Sequence, residues 1–204
     1  MIYLIGGAPK LGKSSFAKAL QGKFSLPSIS TDAIRAMVFQ LTDPGLRAEL
    51  LPCCVPRSEI GEQFEGAAED WIGKQTKEAQ TLLPAMSALI NYHVRIDGDL
   101  LLEGVHIIPT LVHDLVESNP TKVKAIFITD CDEGNVLHNL SCHTSAFNWL
   151  AGLDQRKFKA VAKCIVEYSS ILERQAQLFH FTTFQRSKDF TKDTERVLNL
   201  LIHP

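Results

Sequence analysis

The sequence predicts an α/β fold in which a parallel sheet is covered by helices on both faces. Three observations predict it. Short apolar runs at 2–5, 100–102 and 123–129 have the length and composition of strands buried on both sides. Stretches with helical spacing of apolar residues separate these runs, as expected of parallel strands joined by crossover helices. A glycine-rich stretch, G-G-A-P-K-L-G-K-S-S at 6–15, follows the first run directly and opens a helical pattern.

The 204 residues suffice for one good-sized domain, and with no internal repeat or low-complexity linker, residues 1–204 read as one. Apolar residues make up 45% of the chain and charged residues 22%, an ordinary globular balance. A net charge of −2 gives no sign of a protein that coats nucleic acid. No tract offers the roughly 20 apolar residues that cross a bilayer, and the first apolar run is too short for a signal peptide. Five cysteines, an odd number at irregular spacing, imply free thiols in a reducing cytoplasm. Cys131, His138, Cys142 and His143 invite a zinc reading, but the C-x-x-C spacing of structural zinc sites is missing and ordinary core and surface roles fit better.

In chain order, the run at 2–5 is the first strand. Residues 13–21 form a helix with Phe16, Ala17 and Leu20 on one side, and 27–30 a second short strand. Thr31 can cap the helix 32–41, with Asp32 in the first turn, where the helix dipole favours a carboxylate. Three prolines and Gly45 make 42–58 a loop with at most a helical turn. From Glu59 to about Tyr92 the pattern is helical, with Phe64, Ala67, Ala68, Trp71 and Ile72 on one face and Pro84 expected to kink or divide it. The strand at 100–102 ends in Glu103-Gly104. A short helix at 110–117 leads to the strand 123–129, then a long helical region runs from about 132 to 178. A weak last strand at 180–184 precedes a terminal helix at 191–202, with Val197, Leu198, Leu201 and Ile202 on one face.

Gly7-x-x-x-x-Gly12-Lys13-Ser14 satisfies the phosphate-loop pattern in full. The stretch Gly7, Ala8, Pro9, Lys10, Leu11, Gly12, Lys13, Ser14 and Ser15 turns successive N–H groups inward, an anion nest at a helix N-terminus. Lys13 supplies a point charge between the β- and γ-phosphates, and the Ser14 hydroxyl can ligate Mg²⁺. The bland alternative, a glycine-rich turn with an exposed lysine, does not account for a strand on one side and a helix on the other. An N-K-x-D guanine reader and a D-x-x-G strand end are both missing, which argues against a GTPase switch.

Two acidic positions fall on the same rim, because ligands of such sheets lie beyond the C-terminal ends of the strands. Asp32 stands just past the second strand, where a carboxylate can take the proton of a hydroxyl attacking the γ-phosphate. Arg35, one turn on, can meet an anionic acceptor. The competing account is a first-turn carboxylate in an i,i+3 salt bridge, worth little; the rim position favours catalysis. Glu103 ends a buried strand, where an unpaired charge is costly, so it should face Mg²⁺, water or a cation. Asp99, at the other end of that strand, is structural. His106 either touches the acceptor or packs and caps the following turn.

Together G-G-A-P-K-L-G-K-S-S, S-T-D-A-I-R and L-L-E-G-V-H-I-I-P resemble the 2-phosphoglycerate kinase-like P-loop proteins, relatives of the zeta-toxin and small-molecule kinases. The similarity extends more loosely through Trp71 and Gln75 and covers roughly residues 1–110. It implies a three-layer P-loop NTPase fold of the nucleoside-kinase kind, with a five-stranded parallel sheet in the order 2-3-1-4-5, using ATP and Mg²⁺. On that analogy Lys13 and Ser14 serve ATP, Asp32 activates the acceptor, and Arg35, Glu103 and His106 form the acceptor site, with Ser14 and Glu103 at the metal. It also implies an acceptor-side helical insertion at about 42–98 and a lid at about 132–160.

These kinases place lid arginines on the transferring phosphoryl group. Here no arginine occurs in the lid before Arg156, with Lys157, Lys159 and Arg174 behind it. Arg156, following Gly152-Leu153-Asp154, is the strongest candidate for that role, against an exposed basic helix start. Arg47, Arg57 and Lys74 are further cations for an anionic substrate, although loops and helix faces carry such charges routinely. The reading is an ATP- and Mg²⁺-dependent kinase acting on a hydroxyl of a small metabolite, in the cytoplasm, with no nucleic-acid or membrane partner. A zeta-toxin-like nucleotide-sugar kinase and a nucleotide-binding regulator that has lost transfer are the alternatives.

Overall fold

β1 (Ile2–Gly7) is the middle of the sheet and is almost wholly buried, as its apolar sequence requires. The computed structural model describes residues 1–142, 149–150 and 153–202. All five strands are parallel and run in the order β2-β3-β1-β4-β5, where β2 is Ser28–Ser30, β3 Leu100–Glu103, β4 Val123–Thr129 and β5 Thr182–Gln185. Side chains alternate across the sheet with the period of two that a strand imposes. Ile5, Leu101, Ile126 and Ile128 enter one apolar cluster, and Ile2, Leu4, Leu100, Leu102 and Phe127 enter the other.

Helices cover both faces. α1 (Lys13–Phe24) packs Phe16, Ala17 and Leu20 inward. α2 (Thr31–Leu41) follows β2 without a gap. Its cap is Ser30, whose hydroxyl accepts from the Asp32 N–H at 3.2 Å, and not Thr31 as the sequence suggested. Thr31 is already helical and turns its hydroxyl to His106 instead. A four-residue helix α3 (Arg47–Leu50) and a 3₁₀ segment (Arg57–Phe64) occupy the proline-rich stretch.

The helix expected from Glu59 begins later, at Ala68. α4 (Ala68–Arg95) then runs through Pro84 as one element. Proline removes the bond to the carbonyl four residues back. Both Pro84 and Gln80 are exposed, so water can serve that carbonyl, while Leu82, Met86 and Ile90 hold the buried side. α5 (Pro109–Glu117) precedes β4. The long helical region predicted after β4 is two helices, α6 (Glu133–Ser141) and α7 (Gln155–Leu178). α8 (Phe190–Ile202) closes the chain over α1, burying Val197, Leu198 and Leu201. Among the described residues no helix is long and apolar enough to cross a membrane.

One close approach fixes the rim. Gly104, directly after β3, has φ of 155°, and a Cβ placed on it would overlap the Thr31 hydroxyl. Only glycine lets the first turn of α2 settle on the end of β3. Gly104→Ala should therefore lower unfolding free energy by on the order of 2–4 kcal/mol, from the overlap and the strained φ together. Urea unfolding followed by circular dichroism measures it; an unchanged midpoint would show that the approach is not needed.

Candidate active site

The loop between β1 and α1 is an anion cradle by backbone geometry. Gly12 adopts a left-handed conformation (φ 86°) at the start of α1, and no side chain caps that helix. An uncapped, positively polarised helix end is a ready site for phosphate oxygens. Lys13 is buried and donates to the Ala8 carbonyl at 2.6 Å, folding its ammonium back over the loop. Burial pushes its pKa down to about 8, although the carboxylates of Glu103 and Asp32 pull the other way. Lys10 lies half-buried in the same loop with φ of 61° and its ammonium 5.1 Å over the Trp149 ring. Its pKa is lowered by burial and by the Arg57 charge, against Asp32, so these three groups share one field.

Glu103 ends β3 in register with both Ile5 of β1 and Ser30 of β2. It is buried, and the Ser14 hydroxyl faces both its oxygens at 3.2 Å. A hydroxyl and a carboxylate converging beside a buried lysine are hard oxygen donors of the kind Mg²⁺ takes. The structure thus brings together Lys13, Ser14, Glu103 and, within electrostatic reach of Lys13, Asp32. Asp99 lies at the start of β3 instead, paired with the Met1 ammonium.

The acceptor side holds a run of contacts. Asp32, whose side chain is 63% exposed, pairs with Arg35 at 3.3 Å. Arg35 also reaches Glu78 of α4 at 3.5 Å. Glu78 has no exposed surface, accepts from the Cys53 N–H at 2.8 Å and from His106 Nε2 at 3.0 Å. Nδ1 of His106 faces the Thr31 hydroxyl at 2.8 Å. Of the two roles open to His106, the structure takes packing: the ring is enclosed and both nitrogens are engaged, so it does not line the rim. For Arg35 the two carboxylates differ in weight. An exposed pair contributes at most about 1 kcal/mol, whereas stripping the partner from a buried carboxylate costs about 3–5 kcal/mol.

On the lid side, Trp149 stacks on Phe64 (5.6 Å, 3°), Phe64 on Trp71, and Trp71 meets Tyr168 edge-on. Leu153 packs against Gly61, and Lys157 pairs with Glu65 at 3.5 Å. Arg156 is exposed in the first turn of α7, while Gly152 ahead of it lies outside the described residues. So does His143 of the suggested zinc set. His138 and Cys142 face each other at 3.8 Å, but Cys131 approaches Ser170.

Sequence reasoning missed three residues. Glu78 sits in the buried stripe of α4 with Trp71, Gln75, Leu82 and Met86, and a carboxylate in an apolar stripe was the available signal. Arg186, just after β5, is buried; its guanidinium borders Gly12, stacks on Phe190 and leaves Nη1 without a hydrogen-bond partner. Asp130, buried after β4 and bonded to Asn135, has its pKa raised to about 6 by burial. Neither of the last two carried a sequence motif.

A phosphate loop after the central strand of a parallel five-stranded 2-3-1-4-5 sheet is the fold of the P-loop kinases. Solved structures agree over almost the whole chain. Shikimate kinase from Bacteroides thetaiotaomicron superposes with TM-score 0.56 at 16% identity, covering 98% of each chain. A gluconokinase from Sinorhizobium meliloti 1021 gives 0.53 at 13%, covering 98% of this chain and 90% of that one. Dephospho-CoA kinase from Campylobacter jejuni gives 0.53 at 12%, covering 98% and 96%. In sequence, the chain resembles 2-phosphoglycerate kinase of Methanocaldococcus jannaschii, 25% identical over 115 residues, which is 56% of this chain. The match covers 37% of that relative's length. No family model matches.

Lys13 yields a signed pH dependence. Its charged form attracts phosphates, and bound phosphates raise its pKa, so binding above pH 8 must take up a proton. ATP·Mg affinity should fall as pH rises above 8, by up to about tenfold per pH unit. Calorimetry in two buffers of different ionisation enthalpy should show the uptake; buffer-independent heats at pH 9 would contradict it.

Proposed function

We propose that the chain is an ATP- and Mg²⁺-dependent kinase that transfers the γ-phosphate to a hydroxyl of a small anionic metabolite, of the 2-phosphoglycerate kind. The observation that carries this reading is the convergence of Lys13, Ser14 and Glu103 on the phosphate loop, with Asp32 on the same rim. The resemblance to 2-phosphoglycerate kinase over 115 residues supports the acceptor class. We read 1–204 as one kinase domain, with the acceptor pocket built from 42–98 and a lid at 132–160, working in the cytoplasm.

In this mechanism the backbone N–H groups of the loop and Lys13 hold the β- and γ-phosphates. Ser14 and Glu103 would hold Mg²⁺, which would supply positive charge against the phosphates. Asp32 accepts the acceptor's hydroxyl proton as that oxygen bonds to the γ-phosphorus and the bond to the bridging oxygen breaks, leaving ADP. Most of the rate comes from position and charge. Arg156 is the cation assigned to the transferring group, and Arg47, Arg57 and Lys74 are those assigned to the acceptor. Arg35, held by two carboxylates, serves the acceptor turn and lines its edge.

An arginine-poor lid keeps one second reading in view, a nucleotide-binding regulator without transfer. One experiment separates them: acceptor-dependent ADP release across phosphorylated and carboxylated hydroxy compounds, with Asp32→Asn beside the wild type. The kinase reading expects release with at least one acceptor, and a loss of about 10²–10⁴-fold in Asp32→Asn with ATP affinity retained. Tight ATP binding without release for any acceptor favours the regulator. Full activity in Asp32→Asn removes Asp32 as the base.

A further inference from the structure

Asp32 is exposed and stands in the first turn of a helix; something must hold that turn still if the carboxylate is to meet a hydroxyl at bonding distance. The residues on either side of its face are Thr31 and Arg35, and both lead to one group. Arg35 pairs directly with Glu78 at 3.5 Å. Thr31 reaches it through His106, over contacts of 2.8 and 3.0 Å. A third contact, the Cys53 N–H at 2.8 Å, ties the segment after α3 to the same carboxylate. Glu78 and His106 are both fully enclosed.

We propose that Glu78 is a positioning residue for phosphoryl transfer: it anchors the catalytic turn of α2, and the acceptor segment at Cys53, to the rigid helix α4. This rests on the kinase reading above, because it gives the anchored turn its purpose. The physical case is that a buried carboxylate is tolerated only where its surrounding donors are held in place. Three donors converge on Glu78 from three different segments, and losing the charge weakens all three. A hydrophobic residue at this place in the α4 stripe would pack as well, so burial alone gives no reason for a carboxylate. Among the described residues the hydrogen bonds of Glu78 go to Arg35, Cys53 and His106 and not to the phosphate loop, so its effect should fall on transfer and not on nucleotide binding.

Glu78→Gln tests this, with two readouts. Amide hydrogen exchange by mass spectrometry should rise about tenfold or more in 30–36 while 2–15 keeps its protection. Acceptor-dependent kcat should fall about 10²-fold, the scale of a misplacement of about 1 Å, with ATP·Mg affinity unchanged. In an Arg35→Met background the same change should cost much less, since one arm is already cut. Unchanged exchange in 30–36 overturns the proposal, as does loosened exchange with undiminished kcat, or full additivity with Arg35→Met. Protection lost across the whole sheet makes Glu78 merely structural and also overturns it. If Glu78→Gln does not fold, His106→Gln cuts the Thr31 arm alone and must raise exchange in 30–36. Should the wild type turn over no acceptor, the kinase reading falls, while the exchange arm still decides the anchoring.

Discussion

The site depends on the register in which three parallel strands end. Glu103 pairs across the sheet with Ile5 on one side and Ser30 on the other. Two residues beyond Ile5 the phosphate-loop motif begins at Gly7, and one residue beyond Ser30 α2 begins. A slip of a single residue would turn Glu103 to the opposite face and set the two halves at different heights. The apolar alternation in β1 and β3 forbids the slip, since it would exchange the two cores as well. Catalytic geometry is in this sense a by-product of packing.

Around that rim the protein buries charge deliberately placed between opposites. Lys13 is enclosed next to Glu103, Glu78 next to Arg35, and Arg186 next to Asp193 at 3.7 Å. Each would be intolerable alone; the partners of Lys13 and Glu78 come from distant parts of the chain, and that of Arg186 from the first turn of the next helix. The price is paid by the fold as a whole, and the orientation of these groups is fixed by it. Arg186 is the incomplete case: its Nη1 stays unpartnered beside Gly12.

How much of this was legible beforehand differs by residue. The phosphate loop was fully legible, because its chemistry is carried by backbone and glycine and must be written contiguously. Asp32 and Glu103 were legible because strand ends locate them. Glu78 was missed, since its partners lie 25 to 43 residues away and its place in the apolar stripe of α4 was the one local signal. His106 was undecided for the same reason: its role is set by Thr31 and Glu78, which only the folded chain brings to it. Pro84 does not divide the helix, because its solvent-facing side lets water serve the freed carbonyl, which the sequence alone did not show. Local rules place elements; the couplings between elements have no local signature.

The ladder from Lys10 through Trp149, Phe64 and Trp71 to Tyr168 has an optical consequence. The chain has two tryptophans, and both are in that ladder. One indole lies beneath an ammonium of the phosphate loop; the other is wedged between aromatic rings in the core. A cation drawn off an indole face alters the emission of that indole, and a shift in stacking alters its quenching. The molecule therefore carries a built-in fluorophore pair where the phosphate loop, the 3₁₀ segment and α7 meet, with Trp71 as the sheltered reference and Trp149 as the reporter.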